Sequence, residues 1–154
     1  MNEELKKPYA KMSRICSMKE CCSFDIRQKL QRTGLSEKEV SQIISQLQKN
    51  RYIDDARYAQ SFINDKLRFN KWGKNKIILA LVQKRIDKKI IEEAFSELPG
   101  NLLQAELKPL LEKKAQTIKA NSAYEKRNKL IRFALGRGFE MSDILEYMDK
   151  ISLE

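Results

Sequence analysis

The chain has 154 residues, 42% hydrophobic and 34% charged, with 31 Lys and Arg against 21 Asp and Glu for a net charge of +10. Five glycines and three prolines make this a helical composition; no apolar run nears the roughly 18 residues of a membrane span, and the N-terminal MNEELKKPYAKM lacks a signal-peptide core, so a cytoplasmic protein without a membrane partner is expected. Cys16, Cys21 and Cys22 are odd in number and no histidine accompanies them, which excludes a disulfide framework and a complete zinc set and leaves no metal or cofactor expected.

Taken in order, residues 1–7 are charged and aperiodic and read as a flexible tail. Pro8 opens a first helix reaching about Glu20, with Met12, Ile15 and Cys16 on its inner face. Ser23 reads as the N-cap of a second helix, Phe24 to Arg32, which buries Ile26, Leu30 and the stem of Lys29. Gly34 stops it as a left-handed residue. Ser36 with Glu39 is a capping box for a third helix facing inward through Val40, Ile43, Ile44 and Leu47.

Asp54 and Asp55 start a fourth helix as caps, and Tyr58, Ala59, Phe62, Ile63 and Leu67 form its inner stripe. Lys66 to Lys76 then carries five positive charges and no negative one. Helix five, Lys74 to Lys84, is expected to bury Ile77, Ile78, Leu81 and Val82. Asp87 caps helix six, with Ile90, Ile91, Ala94, Phe95 and Leu98 inside, before the stop at Pro99-Gly100. Helix seven runs from Asn101 to about Lys119 over Leu103, Leu107, Leu110, Leu111 and Ile118, kinked or split by Pro109. Ser122 with Glu125 opens helix eight, containing Leu130, Ile131, Phe133, Ala134 and Leu135. Ile144, Leu145, Tyr147, Met148 and Ile151 mark helix nine.

These elements repeat. Ile26, Leu30, Leu35, Val40, Ile44 and Leu47 recur 51 positions later as Ile77, Leu81, Ile86, Ile91, Phe95 and Leu98, and Gly138-Phe139 repeats Gly34-Leu35. The expected fold is all-α, with three tandem three-helix repeats at 8–50, 54–98 and 101–152.

No nucleophile with a base, carboxylate pair in a pocket or phosphate-binding glycine loop is visible, so no enzyme is expected. The charge favours a polyanionic partner, nucleic acid or an acidic protein groove. Arg68, Lys71, Lys74 and Lys76 in the joint before helix five are candidate contacts, with Phe69 or Trp72 able to stack on a splayed base; for Trp72 a core role is favoured. The middle helices add Arg27, Lys29, Arg32, Lys126, Arg127, Lys129, Arg132 and Arg137, a basic stripe along the repeats, while Glu140 to Glu154 is acidic. Major-groove reading is disfavoured, because the second helix of each pair opens with Glu37 and Glu39, with Asp87, or with Glu140 and Asp143.

Asp54-Asp55-x-Arg57-Tyr58-Ala59, preceded by Ser23, Lys29-Leu30 and Gly34-Leu35 and followed by Gly73-Lys74-x-Lys76-Ile77 and a similar Leu130 to Phe139 copy, resembles the RecX family, regulators of the bacterial RecA recombinase, over nearly the whole chain. Gly34, Gly73 and Gly138 with the Asp54 to Ala59 block carry the resemblance; Arg85 departs from it, standing where the other copies have glycine. It implies an elongated curved array that binds the RecA filament on DNA and restrains filament growth or strand exchange, without chemistry of its own; direct contact with single- or double-stranded DNA and a monomeric state are further expectations. The alternatives are a stand-alone DNA-binding repeat module and a protein-only adaptor for an acidic partner.

Overall fold

The computed structural model describes residues 2–150. Among them are ten α-helices and no strand: α1 (Glu3–Met18), α2 (Ser23–Gln31), α3 (Glu37–Lys49), α4 (Asp55–Arg68), α5 (Lys74–Gln83), α6 (Lys88–Ser96), α7 (Leu102–Ala105), α8 (Leu107–Ala115), α9 (Ala123–Gly136) and α10 (Met141–Met148). None is long and apolar enough to cross a membrane. The described residues form two compact units, one of 2–62 with 81–95 and one of 63–80 with 96–150, so the helices of the expected repeat at 54–98 divide between them.

In the first unit α1, α2 and α3 close around Leu5, Met12, Cys16, Ile26, Leu30, Val40, Ile43 and Leu47. The tail expected at 1–7 is helical from Glu3. Leu5, Tyr9, Met12 and Cys16 continue one stripe at spacings of four, three and four, and Leu5 is almost fully buried. Pro8 lies inside this helix rather than at its start, leaving the Glu4 carbonyl without its usual donor. Tyr9 meets Tyr52 edge-on, ring centroids 6.3 Å apart, and its hydroxyl accepts from Asn50 Nδ2 at 2.6 Å. The Ser36–Glu39 capping box is complete: Glu39 N donates to Ser36 Oγ at 3.1 Å and Ser36 N to Glu39 Oε1 at 2.9 Å.

In the second unit α8, α9 and α10 enclose Leu107, Leu111, Ala115, Leu130, Ala134, Phe139, Ile144 and Met148. The long helix expected from Asn101 to Lys119 is two helices, broken at Glu106 rather than at Pro109. Pro109 takes the third position of α8, in the first turn, where an amide has no intrahelical acceptor to lose. α8 ends at Ala115, and Thr117 Oγ1 donates to the Lys114 carbonyl at 2.9 Å. α9 starts with Glu125 N donating to Ser122 Oγ at 3.1 Å, while the Glu125 carboxylate reaches back to Asn121 N at 3.2 Å.

The apolar stripes are narrower than their sequence pattern. Val82, Leu135 and Leu145, expected inside, are exposed, and Ile78 is half-buried. Ile151 and Glu154 lie outside the described residues.

Helix ends share one device. Tyr52 N returns to the Leu47 carbonyl, Ile86 N to Leu81 and Phe139 N to Ala134, each across a left-handed residue: Arg51 (φ 62°), Arg85 (φ 58°) and Gly138 (φ 98°). These are Schellman closures, each followed by an apolar residue that seals the end of its helix. Arg85 therefore keeps the backbone state of Gly34 (φ 85°) and Gly138 without being glycine.

Candidate functional site

The second unit joins two stretches that the sequence keeps far apart, the basic joint before α5 and the end of α9. Gly73 N donates to the Arg137 carbonyl at 2.7 Å and Asn75 N to the Gly138 carbonyl at 2.9 Å. The backbone after α9 thus satisfies the first donors of α5, a helix with no acidic residue in its first turn. Those carbonyls also offset the electrostatic cost of Lys74 and Lys76 at a positive helix end. Arg137 reinforces the join from its side chain, Nη1 donating to the Asn70 carbonyl at 2.8 Å.

The turn between α4 and α5 is built around Trp72. Its amide reaches back to the Lys66 carbonyl at 3.0 Å across left-handed Lys71 (φ 56°), one residue wider than the other closures. The half-buried indole carries the Lys66 and Lys76 ammonium groups 4.8 and 4.6 Å from its ring centroid. Lys71 Nζ pairs with Glu106 Oε2 at 2.9 Å. Arg68 is exposed, and Phe69 beside it is 79% exposed. Among the described residues Arg68, Lys76 and Arg137 have no carboxylate partner; the Arg137 guanidinium lies 5.2 Å from the centre of the Phe133 ring.

On α9 the candidate cations are more engaged. Lys129 contacts Glu125 at 3.2 Å and donates to the Lys119 carbonyl at 2.7 Å, and Arg127 stands 4.0 Å from Asp149. The Asn121 amide, then Lys129, holds the Glu125 carboxyl below its ordinary range. Lys126 is half-buried and Arg132 exposed. In the first unit Arg27 binds Glu37 Oε1 at 2.7 Å and Ser41 Oγ at 3.3 Å, while Lys29 and Arg32 are exposed. The middle-helix charges are therefore unequal: Arg27, Arg127 and Lys129 have acidic neighbours, whereas Lys29, Arg32 and Arg132 face solvent.

The Asp54 to Ala59 block is a clamp within the first unit. Asp54 Oδ1 accepts from Arg57 N at 3.1 Å and caps α4. Asp55, expected to cap the same helix, turns instead to α2, accepting from Ser23 N at 2.9 Å and Ser23 Oγ at 2.8 Å. This corrects the reading of Ser23 as an N-cap: it is the first residue of α2, and Cys22, the N-cap, supplies no side-chain acceptor. Arg57 Nε donates to Glu20 Oε2 at 2.6 Å and Nη2 to the Arg51 carbonyl at 3.1 Å. Ala59 is fully buried. Lys84 adds a bridge to Asp25 at 2.9 Å. Sequence reasoning passed over Glu20, Asp25 and Glu106, because lone acids in a basic chain carry no periodic signal.

Cys16, Cys21 and Cys22 are free and buried under this clamp. Burial pushes the Cys16 thiol up to about 12, with Cys21 beside it adding to the shift, and the Cys22 thiol up to about 11. Burial raises the Tyr58 hydroxyl too, next to Cys22. No group of three His, Cys, Asp or Glu side chains among the described residues is arranged to hold a metal ion.

Comparison with known proteins agrees with this architecture. Residues 54–94 match the model for the second three-helix domain of RecX and residues 104–148 that for the third. The regulatory protein RecX of Chlorobium phaeobacteroides is 31% identical over 146 residues, covering 95% of this chain and 94% of that protein. RecX of Clostridium acetobutylicum is 34% identical over 134 residues, and the match spans 84% of this chain but 62% of that longer protein. The crystal structure of RecX from Lactobacillus salivarius superimposes with a TM-score of 0.84 at 26% identity, covering 98% of this chain and all of that one. The tandem helices, the Asp54 to Ala59 clamp and the Gly73–Gly138 join thus occur in a chain that belongs to the RecX family of regulatory proteins.

Proposed function

We propose that this chain is a non-catalytic regulator that binds the RecA filament on DNA in the bacterial cytoplasm and restrains filament growth and strand exchange. The observation that carries the reading is the match to a RecX regulatory protein along almost the full length of both chains. The net charge of +10 and the solvent-facing Arg32, Arg68 and Arg132 suit a partner rich in phosphates. A monomer is sufficient for this role. The test adds purified protein to RecA and single-stranded DNA and follows ATP hydrolysis and strand exchange. Inhibition at stoichiometric amounts is expected, and no effect would overturn the proposal.

Direct DNA binding without RecA is a second reading, favoured by the carboxylate-free cations at Arg68, Lys76 and Arg137. It predicts oligonucleotide binding that weakens steeply with salt; a flat salt dependence argues against it.

A further inference from the structure

We infer that the turn from Arg68 to Gly73 is a stacking site for single-stranded nucleic acid, in which the Phe69 ring takes the face of one base while Arg68, Lys76 and Arg137 neutralise nearby phosphates. The inference deepens the DNA-binding reading above and rests on it.

Two aromatic residues stand three positions apart in this turn and are treated oppositely. Trp72 is half-buried, its ring already occupied by two ammonium groups. Phe69 is 79% exposed, although its amide is fixed by donation to the Asp65 carbonyl at 2.8 Å. Its backbone is thus ordered while its ring meets water, an arrangement that contributes nothing to a core. The backbone beneath it is held from both sides: the wide closure over Lys71 ties it to α4, and Arg137 Nη1 on the Asn70 carbonyl ties it to the end of α9.

The charges of the turn and of the α9 end that it joins select the occupant. Between Lys66 and Lys76 there is no acidic residue, and Lys71 is paired with Glu106. Among the described residues Arg68, Lys76 and Arg137 have no carboxylate partner. An exposed ring in a turn joined to cations that have no carboxylate partner matches a ligand that alternates planar apolar rings with anions, which is a nucleic acid strand. The base must be splayed out of a helix to present its face, so the strand is single.

Fluorescence anisotropy tests this with the full chain and three labelled probes: a thymidine oligonucleotide, an abasic oligomer of equal length, and a duplex. Phe69→Ala should weaken binding to the thymidine probe by about tenfold and leave the abasic probe unchanged. Arg68→Glu should weaken both and reduce the salt slope by about one. Phe69 is 79% exposed, so the variant should melt with the parent protein. The inference is overturned if Phe69→Ala leaves the thymidine probe unaffected, if it weakens the abasic probe or the duplex equally, or if the parent protein binds none of the three. Phe69→Ala that impairs RecA inhibition while oligonucleotide binding stays intact would make the ring a protein contact and also overturn it. A parent protein that binds the thymidine probe but leaves RecA untouched sinks the regulator proposal alone.

Discussion

Gly73 and Gly138 meet backbone to backbone: a Cβ on Gly73 would overlap the carbonyl carbon of Gly138, and a Cβ on Gly138 would overlap the Lys76 side chain. Gly138 is in addition left-handed, at φ 98°. Gly73→Ala and Gly138→Ala should therefore each cost about 2–4 kcal/mol, since neither backbone can retreat without breaking the Gly73–Arg137 or Asn75–Gly138 hydrogen bonds. Gly136→Ala is the control. It ends α9 with open space around it, so it should stabilise by about 0.5–1 kcal/mol. Urea unfolding at constant m-value measures all three, and a Gly138→Ala as mild as Gly136→Ala would disprove the close approach.

Asp54 and Asp55 are adjacent in sequence but serve different helices, α4 and α2. Asp55→Ala removes a charged acceptor from both the amide and the hydroxyl of Ser23, and should cost about 2–3 kcal/mol. Asp54→Ala removes one ordinary cap and should cost about 1 kcal/mol. Combining Asp55→Ala with Ser23→Ala should recover about 1 kcal/mol relative to additivity, because the hydroxyl has lost its acceptor in either single variant. Strict additivity would show that the pair does not interact.

What could be read from sequence was whatever acts locally. The Ser36–Glu39 box lies within four residues, and the Gly34 and Gly138 stops are set by the backbone beside them. Leu5 escaped because one apolar residue among charges is no pattern until Tyr9, Met12 and Cys16 are seen to continue it. The break at Glu106 escaped because Pro109 looked like the breaker, whereas proline is accepted in a first turn. For the site, the basic residues of Lys66 to Lys76 and Arg137 could be named singly from sequence. Their meeting could not, since it depends on backbone hydrogen bonds between residues more than 60 positions apart. The ion pairs of Arg27 with Glu37 and of Lys71 with Glu106 were hidden because each joins side chains of two different elements that only the fold brings together, although they decide how those two cations are engaged.

Arg85 shows that the repeat specifies a backbone state rather than a residue type. Arg85→Gly relieves about 1 kcal/mol of left-handed strain but frees the unfolded chain by a similar amount and removes the guanidinium from the Phe24 ring, 5.8 Å away. Its net effect should lie within about 0.5 kcal/mol of zero. Arg85→Val places a β-branched side chain at φ 58° and should destabilise by about 1–2 kcal/mol. Thermal unfolding of the two variants beside the parent decides it: a neutral valine would mean that this helix end is not left-handed.

The buried thiols give stability a pH dependence of definite sign. Cys22 is fully buried with its thiol raised from 9.0 to about 11, and Cys16 is raised from 9.0 to about 12. Because the folded state favours the protonated thiols, it binds more protons than the unfolded state once the pH exceeds the unfolded value. The stability gained from keeping the thiols neutral is therefore complete below about pH 9 and is lost as pH rises toward about 11, with a slope of at most about 1.4 kcal/mol per pH unit for one thiol. Tyr58, also raised by burial, acts in the same direction, so the parent curve alone does not isolate the cysteine. Cys22→Ala does. Urea midpoints of both proteins in reductant, at about pH 8 and about pH 10.5, should differ more at the lower pH, the variant losing less stability on going alkaline because it has no thiol there to ionise. Equal losses in the two proteins would mean that Cys22 ionises as readily folded as unfolded, and the packing of its thiol against Tyr58 would have to be abandoned.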